Sequence, residues 1–232
     1  MNERLSVVLP TLNAAETLPS CLAQLGDAYE VIVVDGGSSD DSQGIAREHG
    51  AVVLQSPRGR GTQLCTGANA ASGDWLLFLH ADTFLGAGWN EAVDRHWSSF
   101  RQPAGFFRFK LRSQAWQARV VEAGVAFRVS ILGLPYGDQG LLISRDLYRQ
   151  VGGYKPLPLL EDVDLVRRLG RRRLRPLAAD AITSAERWQR DGWFARSARN
   201  LSCLGLYLAG VSPARVAQIY HRPVRSGQGV EV

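Results

Sequence analysis

The sequence predicts an α/β fold, a mostly parallel sheet flanked by helices on both faces. Three observations predict it. Strand and helix patterns alternate four times between Leu5 and Leu79, the signature of strands joined by crossover helices. The unbroken apolar runs Val31-Ile32-Val33-Val34 and Trp75-Leu76-Leu77-Phe78-Leu79 read as strands buried on both faces. Three of the four strands end in polar residues: Thr11 and Asn13, then Asp35, then His80 and Asp82. Ligands of open α/β sheets bind just past the carboxyl ends of the strands. That sheet edge is therefore the predicted site, and Asp82 is the first candidate for its chemistry.

The elements follow in order. Leu5–Leu9 is a strand stopped by Pro10. Asn13 with Glu16 three residues on resembles a capping box opening a helix to about Leu25. Glu30–Val34 is the second strand, and Gly36-Gly37 after Asp35 permits a tight turn. Ser38 to Asp40 can cap the next helix, to about His49. Ala51–Leu54 is the third strand, and Ser56-Pro57-Arg58-Gly59-Arg60-Gly61 is a basic, glycine-rich loop before a helix reaching Ala71. Gly73-Asp74 turns the chain into the fourth strand.

Beyond it the pattern is less regular. Helices are expected at Trp89 to about Phe100, Trp116–Leu132, Arg145–Val151 and from Leu159 to about Arg171, with strands at Gly105–Phe109 and Leu141–Ile143. Gly133 to Gly140 is rich in turn formers. Glu161, Asp162 and Asp164 open a helix, where carboxylates favour the dipole, so a purely structural role is open to all three. Arg222–Val232 is expected to be a mobile tail.

Composition bounds the function. At 232 residues the chain is long enough for one domain with a large core. Its 27 basic and 22 acidic residues give +5, with Lys110 and Lys155 the only lysines. Arginine suits phosphate recognition. The run Arg171-Arg172-Arg173 with Arg175 lacks interleaved aromatics, so a helix end is favoured and nucleic acid is not expected as a partner. Cys21, Cys65 and Cys203 are too far apart for a metal cluster and fit a reducing compartment. Met1-Asn2-Glu3-Arg4 runs straight into a strand, so no secretory leader is expected. No apolar run approaches the ~20 residues that span a bilayer. The expected location is cytoplasmic. For Asn200–Gly210, a packed helix is favoured over a peripheral helix on the inner membrane face.

The residues also carry a resemblance. Val7-Val8-Leu9-Pro10-Thr11-Leu12-Asn13, Val33-Val34-Asp35-Gly36-Gly37-Ser38-Ser39-Asp40, Ala71 to Asp82 and Leu160-Glu161-Asp162 resemble the successive motifs of family-2 glycosyltransferases of the GT-A fold, over roughly residues 5 to 190. The details His80-Ala81-Asp82, Gly137-Asp138-Gln139-Gly140 and Leu159-Leu160-Glu161-Asp162 are similar to a small bacterial subgroup labelled arsenosugar-biosynthesis glycosyltransferases. The resemblance implies a single GT-A domain over residues 1–221, with a nucleotide-binding half (1–100) and an acceptor half with C-terminal helices (101–221). It implies inverting transfer of a sugar from a nucleoside-diphosphate donor, with UDP favoured, to an acceptor hydroxyl. Pro10, Thr11, Asn13, Glu16, Asp35 and Gly36 would line the nucleotide pocket, Asp35 accepting from a ring N–H of the base. Arg60, His80 and Ala81 would lie along the donor.

Asp82 would be the last carboxylate of an Asp-x-Asp motif holding Mn²⁺ or Mg²⁺, which neutralises the leaving diphosphate. Asp162 would be the general base, Glu161 an orienting or sharing partner, and Asp138 and Gln139 would face the acceptor. Arg187, Trp188 and Arg190 resemble a late element that closes over the diphosphate. The chain departs from the pattern twice. His80 replaces the first acid of Asp-x-Asp, either as a metal ligand or as a donor contact. Cys65 stands where relatives often carry asparagine, before a Gly67-Ala68 turn. Two other readings remain: a catalytically degenerate nucleotide-binding member, and a sugar-nucleotide nucleotidyltransferase, which the absence of a lysine near Leu12–Ala15 disfavours.

Overall fold

The computed structural model describes residues 4–26, 29–98 and 103–220. The tail expected at 222–232 lies outside them. Strands β1 (Leu5–Thr11), β2 (Glu30–Asp35), β3 (Val52–Gln55) and β4 (Trp75–Phe78) alternate with helices α1 (Leu18–Ala23), α2 (Ser42–Glu48) and α3 (Arg60–Ala70). Then come β5 (Thr83–Leu85), α4 (Trp89–Trp97), β6 (Ala104–Arg112), α5 (Trp116–Leu132), β7 (Leu141–Ser144), α6 (Arg145–Gln150), α7 (Glu161–Leu169), β8 (Leu174–Ser184), α8 (Glu186–Asp191), α9 (Trp193–Leu208) and α10 (Pro213–Tyr220).

Among the described residues the strands form one sheet in the order β3-β2-β1-β4-β7-β6-β8-β5. The pairs among β1 to β4 are all parallel. The far half is mixed: β7 runs antiparallel to β4 and β6, β6 parallel to β8, and β5 antiparallel to β8.

The two-residue period of β1 divides the core. Leu5, Val7 and Leu9 pack with α1 and α4, while Val8 packs with Ile32, Val34, Leu64 and Leu76 on the opposite face. Helix α3 lies so close that a Cβ on Gly67 would meet Val8 Cγ1 at 2.4 Å. Gly67-Ala68 is thus the contact face of a helix, not the expected turn. Cys65, just before it, donates its thiol to the Tyr154 carbonyl, and burial pushes its pKa up.

Several expectations need correction. Strand β1 does not stop at Pro10, which still pairs with Val34. Strand β4 pairs no further than Val8, so on that side the missing N–H breaks no ladder bond. Asn13 and Glu16 form no capping box. Helix α1 begins only at Leu18, and Asn13 sits at φ 50. Strand β8 was not anticipated at all. Its buried Leu177, Ala179 and Ala181 do alternate, but the arginines before it and Pro176 within it mask the pattern. The β6–β8 register shifts between Phe106 and Arg108, which accommodates the proline. The arginine run is an exposed 3₁₀ turn, Arg171–Arg173. Helix α9 buries Cys203 and Leu204 but leaves Leu201 and Leu208 exposed. Among the described residues no helix is long and apolar enough to cross a membrane.

Two glycine substitutions separate propensity from packing. Alanine gains ~1 kcal/mol over glycine in a helix, and overpacking costs about 1–3 kcal/mol. Gly67→Ala is therefore expected to lower the urea midpoint. Gly124→Ala, in α5 with nothing within 4 Å of the added Cβ, is expected to raise it. Equal shifts in denaturation curves would refute the packing argument.

Candidate active site

The carboxyl ends of β1 and β2 are held together by side chains from three segments. Gln63, on the buried face of α3, donates through Nε2 to the carbonyls of Thr11 and Val34, both at 2.8 Å. The loops that follow staple to each other. Asn13 N donates to Ser38 Oγ at 2.9 Å, and Ser39 N to Asn13 Oδ1 at 2.8 Å. Ala14 N donates to Ser42 Oγ, and Ala15 N to Asp40 Oδ2. Asp35 is 0 % exposed, and its Oδ2 accepts from Gly37 N, Ser38 N and Gln43 Nε2. Burial works against its charge, but the Ser38, Gly37 and Gln43 bonds hold it below the ordinary carboxylate range. Asp35 thus anchors its own loop, with Oδ1 accepting from Ser38 Oγ as well. Pro10 and Thr11 line the strand end beneath it.

A second group gathers where β4, α3, α7 and the Tyr136–Gly140 loop meet. Arg60 opens α3, with Nε 3.4 Å from Glu161 Oε1, the first residue of α7. Arg60 is 43 % exposed and Glu161 4 %. Burial opposes the Arg60 charge, but Glu161, Asp162 and Asp82 hold its pKa above the ordinary value. Burial pushes Glu161 up, with Arg60 pulling the other way.

Asp162 is fixed by two amides, Gly137 N to Oδ2 and Val163 N to Oδ1, both at 2.7 Å. A Cβ on Gly137 would stand 2.8 Å from His80 Nε2 and 3.4 Å from Asp162 Oδ2, so only a bare backbone fits between them. Burial, then the charges of Arg60 and Arg187, push His80 well below its ordinary value, leaving a neutral imidazole at pH 7. The third acid of α7, Asp164, faces elsewhere. It binds Arg168 at 2.6 Å, which also reaches the Val151 and Gly153 carbonyls. The structural reading therefore holds for Asp164.

Asp138 faces the same group. Burial pushes its pKa up to about 6, with Arg128 opposing and Asp162 adding to the rise. Its Oδ1 is buried with no hydrogen-bond partner among the described residues. Gln139 instead points inward, its Nε2 donating to the Phe107 carbonyl at 3.1 Å. Arg128, mid-helix in α5, stacks 3.5 Å over the Tyr136 ring and was not anticipated. Nor was Gln63. Arg128 is a lone charge in the run Val125-Ala126-Phe127-Arg128-Val129, a signal that does not tell a support from an exposed side chain, and Gln63, beside Thr62, carries no signal at all.

Asp82 borders a cleft of about 280 Å³ shared with Glu16, Arg112, Glu186 and Gln189. Arg187 Nη2 lies 4.0 Å from Asp82 Oδ2, and Asp82 Oδ1 is buried with no hydrogen-bond partner among the described residues. Trp188 and Arg190 do not join this group. Trp188 is buried against Phe109, 6.0 Å between centroids, and Arg190 pairs with Asp191. Ala81 is buried beneath the cleft.

Among the described residues no three His, Cys, Asp or Glu side chains converge as a metal centre. A cation here would therefore need ligands from outside the protein besides Asp82, whose Oδ1 has no hydrogen-bond partner among the described residues. The site residues thus come from segments far apart in sequence and share one edge of the sheet.

A family model described as Glycosyl transferase family 2 matches residues 6–99, from β1 through α4. A glycosyltransferase of Mycobacterium tuberculosis described as uncharacterized is 39% identical over 87 residues, which is 37% of this chain and 40% of that protein. A PGL/p-HBAD biosynthesis glycosyltransferase from the same organism is 37% identical over 92 residues, 34% of this chain and 36% of the relative. The chain thus spans about two-fifths of the length of the curated relatives it matches.

Solved structures extend the likeness to the fold of the second half. Glucosyl-3-phosphoglycerate synthase from Mycobacterium tuberculosis, in complex with Mn²⁺, UDP and glucosyl-3-phosphoglycerate, superposes with a TM-score of 0.54 at 24% identity, over 79% of this chain and 71% of that one. TarS 1-349 from S. aureus gives 0.63 at 17% identity, over 94% and 69%. TarS has also been solved with UDP-GlcNAc. The architecture is that of these glycosyltransferases, the GT-A fold.

The raised pKa of Asp138 carries a pH consequence. A carboxyl whose folded pKa lies above its unfolded value stabilises most below the unfolded value, 3.8, and that contribution is lost as pH rises through about 6. Asp138→Asn is expected to raise the melting temperature at about pH 8 and to leave it nearly unchanged at about pH 4. Equal gains at both values in thermal melts would overturn the assignment.

Proposed function

We propose that the protein transfers a glycosyl group, with inversion, from a nucleoside-diphosphate sugar, UDP favoured, to an acceptor hydroxyl. The observation that supports the reading is that the charges of Asp162 and Asp82, from opposite halves of the chain, both act on Arg60, whose Nε stands 3.4 Å from Glu161. One acid serves the leaving group and the other the incoming alcohol.

The nucleoside enters at the β1 and β2 strand ends, where Pro10, Thr11, Asn13 and the Gly36–Ser39 loop shape its pocket. Asp35 acts through that loop, orienting the Gly37 and Ser38 amides. The diphosphate lies along Arg60 and Arg187 by charge-assisted bonds, with His80 and Ala81 beneath it. A divalent cation, Mn²⁺ or Mg²⁺, would be held by Asp82, with His80 as a candidate second ligand. When bound, it supplies Lewis-acid neutralisation of the leaving diphosphate.

Asp162 is the general base. The amides of Gly137 and Val163 each occupy one lone pair of its carboxylate and leave others free. It takes the acceptor proton as the acceptor oxygen bonds to the anomeric carbon. The bond from that carbon to the phosphate oxygen breaks, and its electron pair leaves on the diphosphate. Glu161 keeps Arg60 in place. Asp138, with an unpartnered Oδ1, is positioned to receive an acceptor hydroxyl. Gln139 supports the loop that carries it.

Asp162→Asn is expected to lower kcat by ~10²–10⁴ with nucleotide affinity unchanged. Wild-type turnover would remove Asp162 from the base role. Thermal-shift screening of UDP-, GDP- and dTDP-sugars is expected to give a shift that Mn²⁺ enlarges. In Asp82→Ala the enlargement is expected to vanish while the metal-free shift remains. If none of the nucleotides stabilises the wild-type protein, the sugar-transfer reading fails.

A further inference from the structure

Between α5 and the β6–β8 pair lies a second cavity, of about 670 Å³, inside the ~300–1,000 Å³ range of small-molecule sites. Its walls are apolar, with Phe106, Phe109, Val125, Val129, Pro135 and Pro176 among them. Its rim is cationic: Arg108, Lys110, Arg119, Arg171 and Arg175 line it, with Glu122 the one acid of the lining among the described residues. Lys110 and Arg119 share Glu122 at 3.1 and 2.8 Å, and Arg108 pairs with Asp180 outside the lining at 2.7 Å. Arg171 and Arg175 donate only to backbone carbonyls and have no carboxylate partner among the described residues. The outer face of α5 continues the apolar surface, with Phe127 68 % and Ile131 57 % exposed. An apolar chamber with surplus positive charge at its mouth complements an apolar chain that ends in an anion.

We propose that this cavity binds an amphiphile with a single apolar chain and an anionic head, the chain against Phe106, Phe109 and Val129 and the head at Arg171 and Arg175. The lining includes Gln139, the neighbour of Asp138, so the bound chain lies one residue along the backbone from the candidate active site. The proposal stands on the cavity and its charge, independently of sugar transfer.

The test is calorimetric titration of the full chain with dodecyl phosphate below its micelle concentration, beside dodecanol and inorganic phosphate. Saturable one-to-one binding of dodecyl phosphate is expected, with dodecanol and phosphate each at least about tenfold weaker. Ala126→Trp, at an exposed position in the cavity lining, is expected to abolish binding. The surface variant Arg175→Gln is expected to weaken it while leaving the dodecanol signal unchanged. UDP titrated into the same samples reports on the nucleotide site separately. Flotation with phosphatidylcholine vesicles containing phosphatidylglycerol distinguishes the source: Ala126-dependent flotation identifies a membrane lipid, and its absence beside retained dodecyl phosphate binding identifies a free amphiphile. Dodecanol binding as tightly as dodecyl phosphate, or undiminished binding in Ala126→Trp, would overturn the proposal. So would dimerisation that Ala126→Trp abolishes without any dodecyl phosphate binding, which would give the cavity to a second copy of the chain.

Discussion

Arg60 stands at the first turn of α3 with Glu161 3.4 Å from its Nε, and the rest of the site is arranged around that pair. Glu161 is almost completely buried. A buried carboxylate without a counter-charge costs several kcal/mol, so α7 can begin there only because α3 brings a guanidinium to meet it. Once α7 is seated, Asp162 follows within hydrogen-bonding range of Gly137, and the Gly137–Gln139 turn is drawn to His80 and the end of β4. The same guanidinium is biased by Asp82. One cation thus links α3, in the first half of the chain, to the acids that open α7 in the second. It is also partly open to solvent, so it stays available to an anionic ligand.

The neutral state of His80 belongs to the same arrangement. Enclosed beside Arg60 and Arg187, an imidazole loses its proton more readily. A protonated ring would set a third positive charge beside the two guanidinium groups, and the neutral ring avoids that repulsion.

The first half of the fold was legible because its strands are buried on both faces and declare themselves as unbroken apolar runs ending in polar residues. Asp82, Asp162 and Arg60 were legible as types at strand and helix ends, and in the folded chain the charges of both acids act on Arg60. What the sequence hid is instructive. The chain direction of β8 is masked by Pro176 and by arginines that look like a helix terminus. Asp35 reads as a ligand acceptor, yet its hydrogen bonds are spent on its own loop, and no local pattern distinguishes those uses. Gln63 and Arg128 act across the tertiary structure, on Thr11 and Val34 and on Tyr136, so their partners are invisible until the chain has folded. The three acids of α7 looked equivalent. The position of Arg168 one turn later, closing on Asp164, separates the structural acid from the two whose charges act on Arg60.

The pairing of β5 with β8 has a consequence for how the molecule can be divided. The three residues after the Asp82 turn, Thr83–Leu85, take their strand partner from Ala181–Thr183, nearly a hundred positions later. A gene fragment stopping where the family match ends, at residue 99, would keep every nucleotide-side motif yet strip that partner from the floor beneath Asp82. Splitting, permuting or grafting this chain therefore has to respect a late stitch into an early loop. That sheet edge is finished only when translation has passed Ser184.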